Sequence, residues 1–334
     1  MPELRQNPLT KKWVVIAVER SKRPDNFEHE EEANKKPFDP FVQGKEKDTP
    51  EEIYAVRKEG TKPNTRGWSI RVIPNLFPIL SGDEKLKKTR DGMYTQATGS
   101  GAHELIITVG PERDEAKMTV PELKGLIDVF QMRHVEVGKD DKIKYVQIFK
   151  NHKGVAGASI RHPHHQLVGL PIVSENIQEE LDAMKRYKKR TGRTILQDMI
   201  KQEKHDKKRV VHENKDFIVF CPFFSESPFE VWIAPKRPRP LFEKLSDAQK
   251  KSMADAMQCA LGKMWNTLKN PPMNYFIHTA PTDGQNHDYF HWHVKMFPRI
   301  TIRAGFEMGT GIIVNVVAPE EAAKFFRKAS RKVK

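Results

Sequence analysis

The stretch "GVAGASIRHPHHQLVGLP", Gly154 to Pro171, places three histidines and a glutamine side by side directly after a glycine-rich turn. If the run from His162 is extended, side chains two apart share a face. His162, His164 and Gln166 then form one polar row, and His165 points the other way. A half-buried strand normally turns small or apolar groups inward, so a buried row of this kind needs hydrogen-bond partners or a ligand to offset desolvation. The preceding "KGVAGAS" offers backbone amides in a flexible turn, a cradle suited to phosphate oxygens. An imidazole facing a polarised phosphate can act as a covalent nucleophile.

Working outward, the same order of segments occurs twice. "HELIITVG" (103–110) reads as a β-rich run, and "TVPELKGLIDVFQMRHVEVGKD" has helical periodicity, with Leu123, Leu126, Ile127 and Phe130 on one face. Thr119, with Pro121 soon after, marks the start of that helix. The strands "KYVQIFKN" and "HQLVGLP" follow. In the second half "FEVWIAPKR" answers "HELIITVGPER", and "LSDAQKKSMADAMQCALGKMW" is again a helix, with Ser246 as its N-cap. "NYFIHTAPTDG" then answers "YVQIFKNHKG", and "HWHVKMFP" answers "HPHHQLVGLP". The repetition predicts an α+β protein of two tandem repeats, antiparallel sheets with helices packed on one face. The expected division is a first repeat at 1–171, a helical linker at 172–204 and a second repeat at 205–334. Residues 24–65, polar and rich in Pro and Lys, read as loop or an extended arm.

A chain of 334 residues, 37% hydrophobic and 31% charged, is long enough for a substantial core under a charged surface. No run approaches the roughly 18 apolar residues of a membrane span, and the N-terminus lacks a secretory pattern. Cys221 and Cys259 lie far apart, form no metal-ligand pair and fit a reducing cytoplasm. The net charge of +14 implies an anionic partner, phosphorylated metabolites or nucleic acid. Much of it lies between 184 and 209, where Glu and Asp are interspersed with Lys, as on a solvated helix and turn. No zinc-knuckle, helix-turn-helix or aromatic RNA-binding signature accompanies it, so nucleic acid is the second class of partner.

"HPHHQ" preceded by "FKNHKGVAGAS" resembles the galactose-1-phosphate uridylyltransferase family, within the histidine-triad superfamily. The resemblance extends over nearly the whole chain, through "NPLTKKWVVIAVERSKRP", "FIHTAPTDG", "HWHVKMFPR" and "AGFEMGTGIIVNVVAPEEAA". It implies nucleotidyl transfer in two displacements through a nucleotidyl-histidine, with His164 as nucleophile. Gln166 would hold a non-bridging phosphoryl oxygen without serving as a general acid, and His162 would orient His164. Arg20 and Arg23 match phosphate- or nucleotide-side arginines, and Asn75, Asn151 and Ser159 match further substrate contacts. The partners implied are a nucleotide sugar with a sugar 1-phosphate or phosphate, no membrane, and a second copy in a homodimer.

A second cluster, His278, His291 and His293, has the composition of a zinc or iron site. The resemblance supplies Glu180 as its carboxylate and makes the site structural. A second metal site of many members, built on a Cys-x-x-Cys, is expected to be absent, since Asp39, Val42 and Arg113 stand in place of its ligands and only His162 remains. Galactose-specific members carry a Lys-Phe pair and a Tyr-Glu around the acceptor; here Thr301, Ile302 and Phe306 replace all but Glu307. The leading expectation is a UDP-glucose:hexose-1-phosphate uridylyltransferase. "AGFEMGTG" also resembles the ADP-glucose phosphorylase branch, which is the alternative in the same chemistry. From a different class comes a catalytically idle nucleotide or RNA binder.

Overall fold

The computed structural model describes residues 2–22, 39–110 and 114–333. Its first half contains β1 (Glu3–Gln6), β2 (Trp13–Ile16), β3 (Tyr54–Arg57), β4 (Trp68–Pro74), β5 (Lys88–Asp91), β6 (Tyr94–Ala97), β7 (Ala102–Thr108), α1 (Val120–Gly138), β8 (Tyr145–His152) and β9 (His164–Leu170). Two helices follow, α2 (Glu175–Thr191) and α3 (Ile195–Asp206). The second half contains β10 (Val210–Glu213), β11 (Phe217–Phe220), β12 (Val231–Pro235), α4 (Asp247–Leu268), β13 (Met273–His278), β14 (His293–Pro298), α5 (Gly305–Thr310), β15 (Ile313–Asn315) and α6 (Pro319–Lys328).

Ten of these strands form one sheet in the order β10-β11-β12-β14-β13-β8-β9-β7-β4-β3. Read outward from its centre, the order is the same in both directions: β8-β9-β7-β4-β3 mirrors β13-β14-β12-β11-β10. The repeats do not keep separate sheets. Their inner strands β8 and β13 pair antiparallel from Met273 opposite His152 to Ile277 opposite Ile148, so each covers the edge the other would expose. Register confirms the repeat: Leu105 and Phe149 flank Gln166 as Trp232 and Phe276 flank Lys295.

The helices begin where local chemistry requires. Thr119 Oγ1 accepts the Glu122 N–H while Glu122 Oε2 accepts the Thr119 N–H, a reciprocal capping box, and Ser246 with Gln249 does the same for α4. α1 and α4 lie on one face of the sheet and bury its larger core, which includes Ile70, Val72, Ile106, Phe130, Ile148, Met257 and Tyr275. The opposite face of the first half carries a smaller cluster of Phe41, Trp68, Ile73, Leu105 and Ile107. The basic stretch at 184–209 is the end of α2, all of α3 and the turn beyond it. A separate three-stranded sheet, β1-β2-β15, ties the N-terminal strands to the C-terminal segment. Among the described residues no helix is long and apolar enough to cross a membrane.

Candidate active site

His164 opens β9 opposite Ile107, on the sheet face away from α1 and α4. Its Nδ1 lies 2.8 Å from the backbone oxygen of His162. A carbonyl only accepts, so Nδ1 carries the proton and the Nε2 lone pair is left free. Burial lowers the imidazole's pKa to about 4, against a weaker opposing effect of the His162 carbonyl, and the ring is neutral at pH 7. Phe41 sets its edge against both His162 and His164.

The row expected from the sequence is present, and each member is held differently. His162 Nε2 donates to Thr108 O at 2.7 Å, and its Nδ1 donates to Asp39 Oδ2 at 3.0 Å. Gln166 is held from the neighbouring strand β7: its Oε1 is 2.9 Å from His103 Nε2. His103 Nδ1 accepts the Ile79 N–H at 3.0 Å, so Nε2 is the donor to Gln166. The glutamine oxygen is thereby taken, and its amide N–H groups remain for an acceptor. Asn75 reaches the same imidazole, its Nδ2 at 3.3 Å from the acceptor nitrogen Nδ1 of His103. His165 faces the helices, as alternation requires, against Phe130, Tyr275 and the buried Glu115 carboxylate.

Asn151 lies two residues beyond Phe149, the partner of Gln166, and so shares that face. It braces the glycine-rich turn: its Nδ2 is 3.4 Å from Gly157 O, and its Oδ1 accepts from Asn274 Nδ2 at 2.8 Å. Asn274 also donates to Ala156 O at 2.8 Å, a contact from the second repeat that sequence reasoning missed because the partner is far away in the chain. Gly157 has φ +89°, which a side chain disfavours. Ser159 follows the turn and is exposed.

Arg20 is exposed on a 3-10 turn at Val18–Lys22, immediately after β2. Arg23 lies outside the described residues. Glu307 is not brought to the histidine row: it sits in α5 and accepts the Ala304 N–H at 3.1 Å, a capping bond inside its own helix. Because β2 and β15 run parallel, α5 before β15 and the Arg20 turn after β2 lie at opposite ends of that pair.

The second cluster needs correction. Glu180, His278 and His293 converge, with one ligand-type atom from each within 4.8 Å of the others. His291 does not join them. Its Nδ1 faces Thr194 Oγ1 at 3.1 Å and its Nε2 donates to Pro235 O at 2.8 Å, so both ring nitrogens are engaged away from Glu180. A different residue enters: Lys295, on the same face as His293, sets its ammonium on Glu180 Oε1 while His278 Nδ1 donates to Glu180 Oε2 at 3.0 Å. Burial alone would raise the Glu180 pKa, but the charge of Lys295, with His278 second, holds it well below the usual carboxylate range. Both carboxylate oxygens are thus engaged by the protein. The group has the residue types of a metal site, but its donor set as arranged does not suit zinc or iron, and no chemistry is derived through an ion.

A duplicated sheet of this kind, presenting a buried neutral imidazole with a free Nε2, is the arrangement of a nucleotidyl-transferring enzyme. Residues 1–173 match the family model for the galactose-1-phosphate uridyl transferase N-terminal domain, and residues 111–331 match one described as a domain of unknown function, DUF4921. The chain belongs to the galactose-1-phosphate uridylyltransferase family. It is 34% identical to the ADP-glucose phosphorylase of Arabidopsis thaliana, over 98% of this chain and 93% of that protein. It is 27% identical to the galactose-1-phosphate uridylyltransferase of Thermotoga maritima, over 98% of each. The crystal structure of the Arabidopsis thaliana ADP-glucose phosphorylase with bound ADP-glucose superposes with a TM-score of 0.82 at 30% identity, over 99% of this chain and 100% of that one.

Proposed function

We propose that the chain transfers a nucleoside monophosphate from a nucleotide sugar through a covalent adduct on His164. Nε2 attacks the α-phosphorus, the N–P bond forms, and the bond from that phosphorus to the bridging oxygen breaks, releasing sugar 1-phosphate. In the second displacement an acceptor phosphate oxygen attacks the same phosphorus, and the N–P bond breaks to return the neutral ring. The observation that carries this reading is the hydrogen bond from His164 Nδ1 to the His162 carbonyl, which leaves Nε2 as the lone-pair nitrogen of a ring that burial keeps unprotonated.

The other roles follow from position. Gln166, with its oxygen held by His103, offers N–H to a non-bridging phosphoryl oxygen; its amide is no proton donor for a poor leaving group, which suits transfer to phosphate-bearing acceptors. His162, anchored to Asp39, fixes the carbonyl that orients His164. The turn braced by Asn151, with Ser159, receives phosphate oxygens; Asn75, Arg20 and Arg23 take the rest of the donor. Only the first repeat, 1–171, carries chemistry. The linker at 172–204 covers the equivalent face of the second, 205–334. Glu307 serves the acceptor of a second copy in a homodimer, a reading supported by its place away from the row and by the exposed Ile302, Phe306 and Met308 around it. The buried free thiols Cys221 and Cys259 suit a cytoplasmic enzyme.

ADP-glucose with inorganic phosphate as acceptor is the leading pair. It is supported by the higher identity to the Arabidopsis thaliana phosphorylase and by the loss of all but Glu307 of the galactose-specific acceptor residues. The second reading, UDP-glucose with galactose 1-phosphate, is supported by the N-terminal family model and by uridylyltransferase relatives that match the full length. Intact-mass spectrometry after brief exposure to each donor without acceptor separates them. An adenylyl adduct absent in His164→Asn and discharged by phosphate supports the first reading; a uridylyl adduct discharged by galactose 1-phosphate supports the second. No adduct with either donor, together with salt-dependent RNA binding that survives His164→Asn, would sink both in favour of a binding protein.

A further inference from the structure

The second repeat keeps the hydrogen-bond pattern of the first without an open site. His293 Nδ1 donates to His291 O at 3.1 Å, as His164 Nδ1 does to His162 O. His291 Nε2 donates to Pro235 O, as His162 Nε2 does to Thr108 O. Two residues further along each strand, Lys295 stands where Gln166 stands, by register as well as by spacing. Here the equivalent of the open face is closed. Trp232 stacks on His293 with 4.6 Å between ring centroids, and Lys295 Nζ lies 4.8 Å from the centroid of the same indole. α2 then lays Glu180 over His278 and Lys295.

We propose that Lys295 replaces a bound metal ion, so that the Glu180–His278–His293 cluster is closed by the protein's own ammonium and holds neither zinc nor iron. The argument is one of charge and of donors. Glu180, Lys295 and two imidazoles, all buried, sum to zero when the rings are neutral. A divalent ion added to that set would leave two uncompensated positive charges out of water, a heavy desolvation cost. Donors are also short. Both Glu180 oxygens are engaged, His278 Nδ1 is spent on one of them, and His291 has both nitrogens committed elsewhere. With Nδ1 of each ring donating, the Nε2 atoms of His278 and His293 are the lone-pair nitrogens that remain, and two fall short of the four donors a structural zinc requires.

The first repeat uses the same device with the opposite charge. Asp39, in place of a thiolate, accepts a hydrogen bond from His162 Nδ1, so a contact within the protein ties the arm to the residues that lead into the active strand. The inference rests on these side chains and not on the identity of the nucleotide, so it can fail independently of the proposed reaction.

The test is metal content. The enzyme is incubated with excess zinc sulfate, desalted, and measured by inductively coupled plasma mass spectrometry beside an EDTA-treated sample, with a melting curve for each. The expected result is under about 0.1 zinc or iron per chain and a melting temperature unmoved by EDTA. Lys295→His, which supplies a neutral ligand in place of the ammonium, is expected to take up about one zinc per chain and to melt lower after EDTA. About one metal per wild-type chain, lost in His293→Asn, would overturn the proposal. Should Lys295→His not fold, Lys295→Met gives the second reading: it frees the carboxylate, so zinc is expected to raise its melting temperature. A zinc-independent melting temperature in Lys295→Met, alongside an EDTA-sensitive wild type, would also overturn it.

Discussion

His103 holds the side-chain oxygen of Gln166 through a hydrogen bond of 2.9 Å, and its other ring nitrogen is fixed by the Ile79 N–H. The pair therefore sets which end of the carboxamide faces a phosphoryl group. Burial lowers the His103 pKa, and the bond to Gln166 opposes that only in part, so the ring stays neutral and keeps one donor and one acceptor. His103→Ala frees the amide to turn its oxygen toward the phosphate. Losing one oriented donor of this kind costs on the order of 10²-fold in kcat, and an amide left to flip is expected to lose about 10-fold with KM nearly unchanged. His103→Asn, which can still donate to the glutamine oxygen, should recover part of the loss. An unchanged kcat in His103→Ala would remove His103 from the positioning of Gln166.

The acid limb of the rate is expected near the buried pKa of His164, about 4, rather than at the ordinary 6.5. Protonating Nε2 removes the nucleophile, so kcat/KM should be flat from pH 8 down to about 5 and fall below that. The stability sign is the same. Between 6.5 and about 4 the unfolded imidazole binds a proton that the folded one does not, so this group's contribution to stability is present above 6.5 and lost as pH falls through that window. Urea midpoints at each pH separate the two effects. A rate that halves near pH 6.5 while the midpoint holds would contradict a buried, neutral nucleophile.

Asp39 is the test of how the arm is held. Its carboxylate accepts from His162 Nδ1 and also from the Phe41 N–H at 2.9 Å, so one side chain fixes both the arm and the aromatic edge that touches His164. Asp39→Ala leaves a buried ring nitrogen of His162 unpaired, and its expected cost is about 1–3 kcal/mol of stability. Because His162 supplies the carbonyl that orients the nucleophile, adduct formation should slow as well. Asp39→Asn, which keeps a side-chain acceptor, should be milder on both measures. Equal effects of Ala and Asn would mean that only the charge of Asp39 matters.

These contacts also show what was readable in the chain. The caps at Thr119 and Ser246 were legible because a capping box lies within four residues, and the opposed facing of His164 and His165 follows from strand alternation alone. Partner choice across the fold was not. His287, in the polar stretch "TDGQNHDY", is buried between Asp283 and Tyr289, which the local sequence does not show. His291 shares a two-residue spacing with His293, but Thr194 and Pro235 engage both of its ring nitrogens, and neither partner can be read from spacing. Lys295 drew no notice, because nothing local tells a buried lysine from a solvated one; its meaning comes from Glu180 on a helix more than a hundred residues away.

Lys150 offers the contrasting case, a buried charge on the helix side of the sheet. Its ammonium is 2.7 Å from Asp114 Oδ2 and also engages Glu115, which in turn meets His165. The three charged side chains are buried, and the two acids precede α1, so the network fixes that helix to β8. Removing one partner of a buried ionic network strands the others. Lys150→Met is therefore expected to cost about 3–5 kcal/mol, since two carboxylates lose their cation away from water. The active row lies on the other face of the strand, so the folded fraction at low temperature should still form the His164 adduct at a near-normal rate. Lys150→Met/Asp114→Asn/Glu115→Gln, which removes the charges together, should regain part of the stability. A variant that melts normally yet forms the adduct at a strongly reduced rate would show instead that Lys150 acts through the sheet on the nucleophile, and pH–rate profiles of Lys150→Met and Lys150→Arg would then locate the coupling.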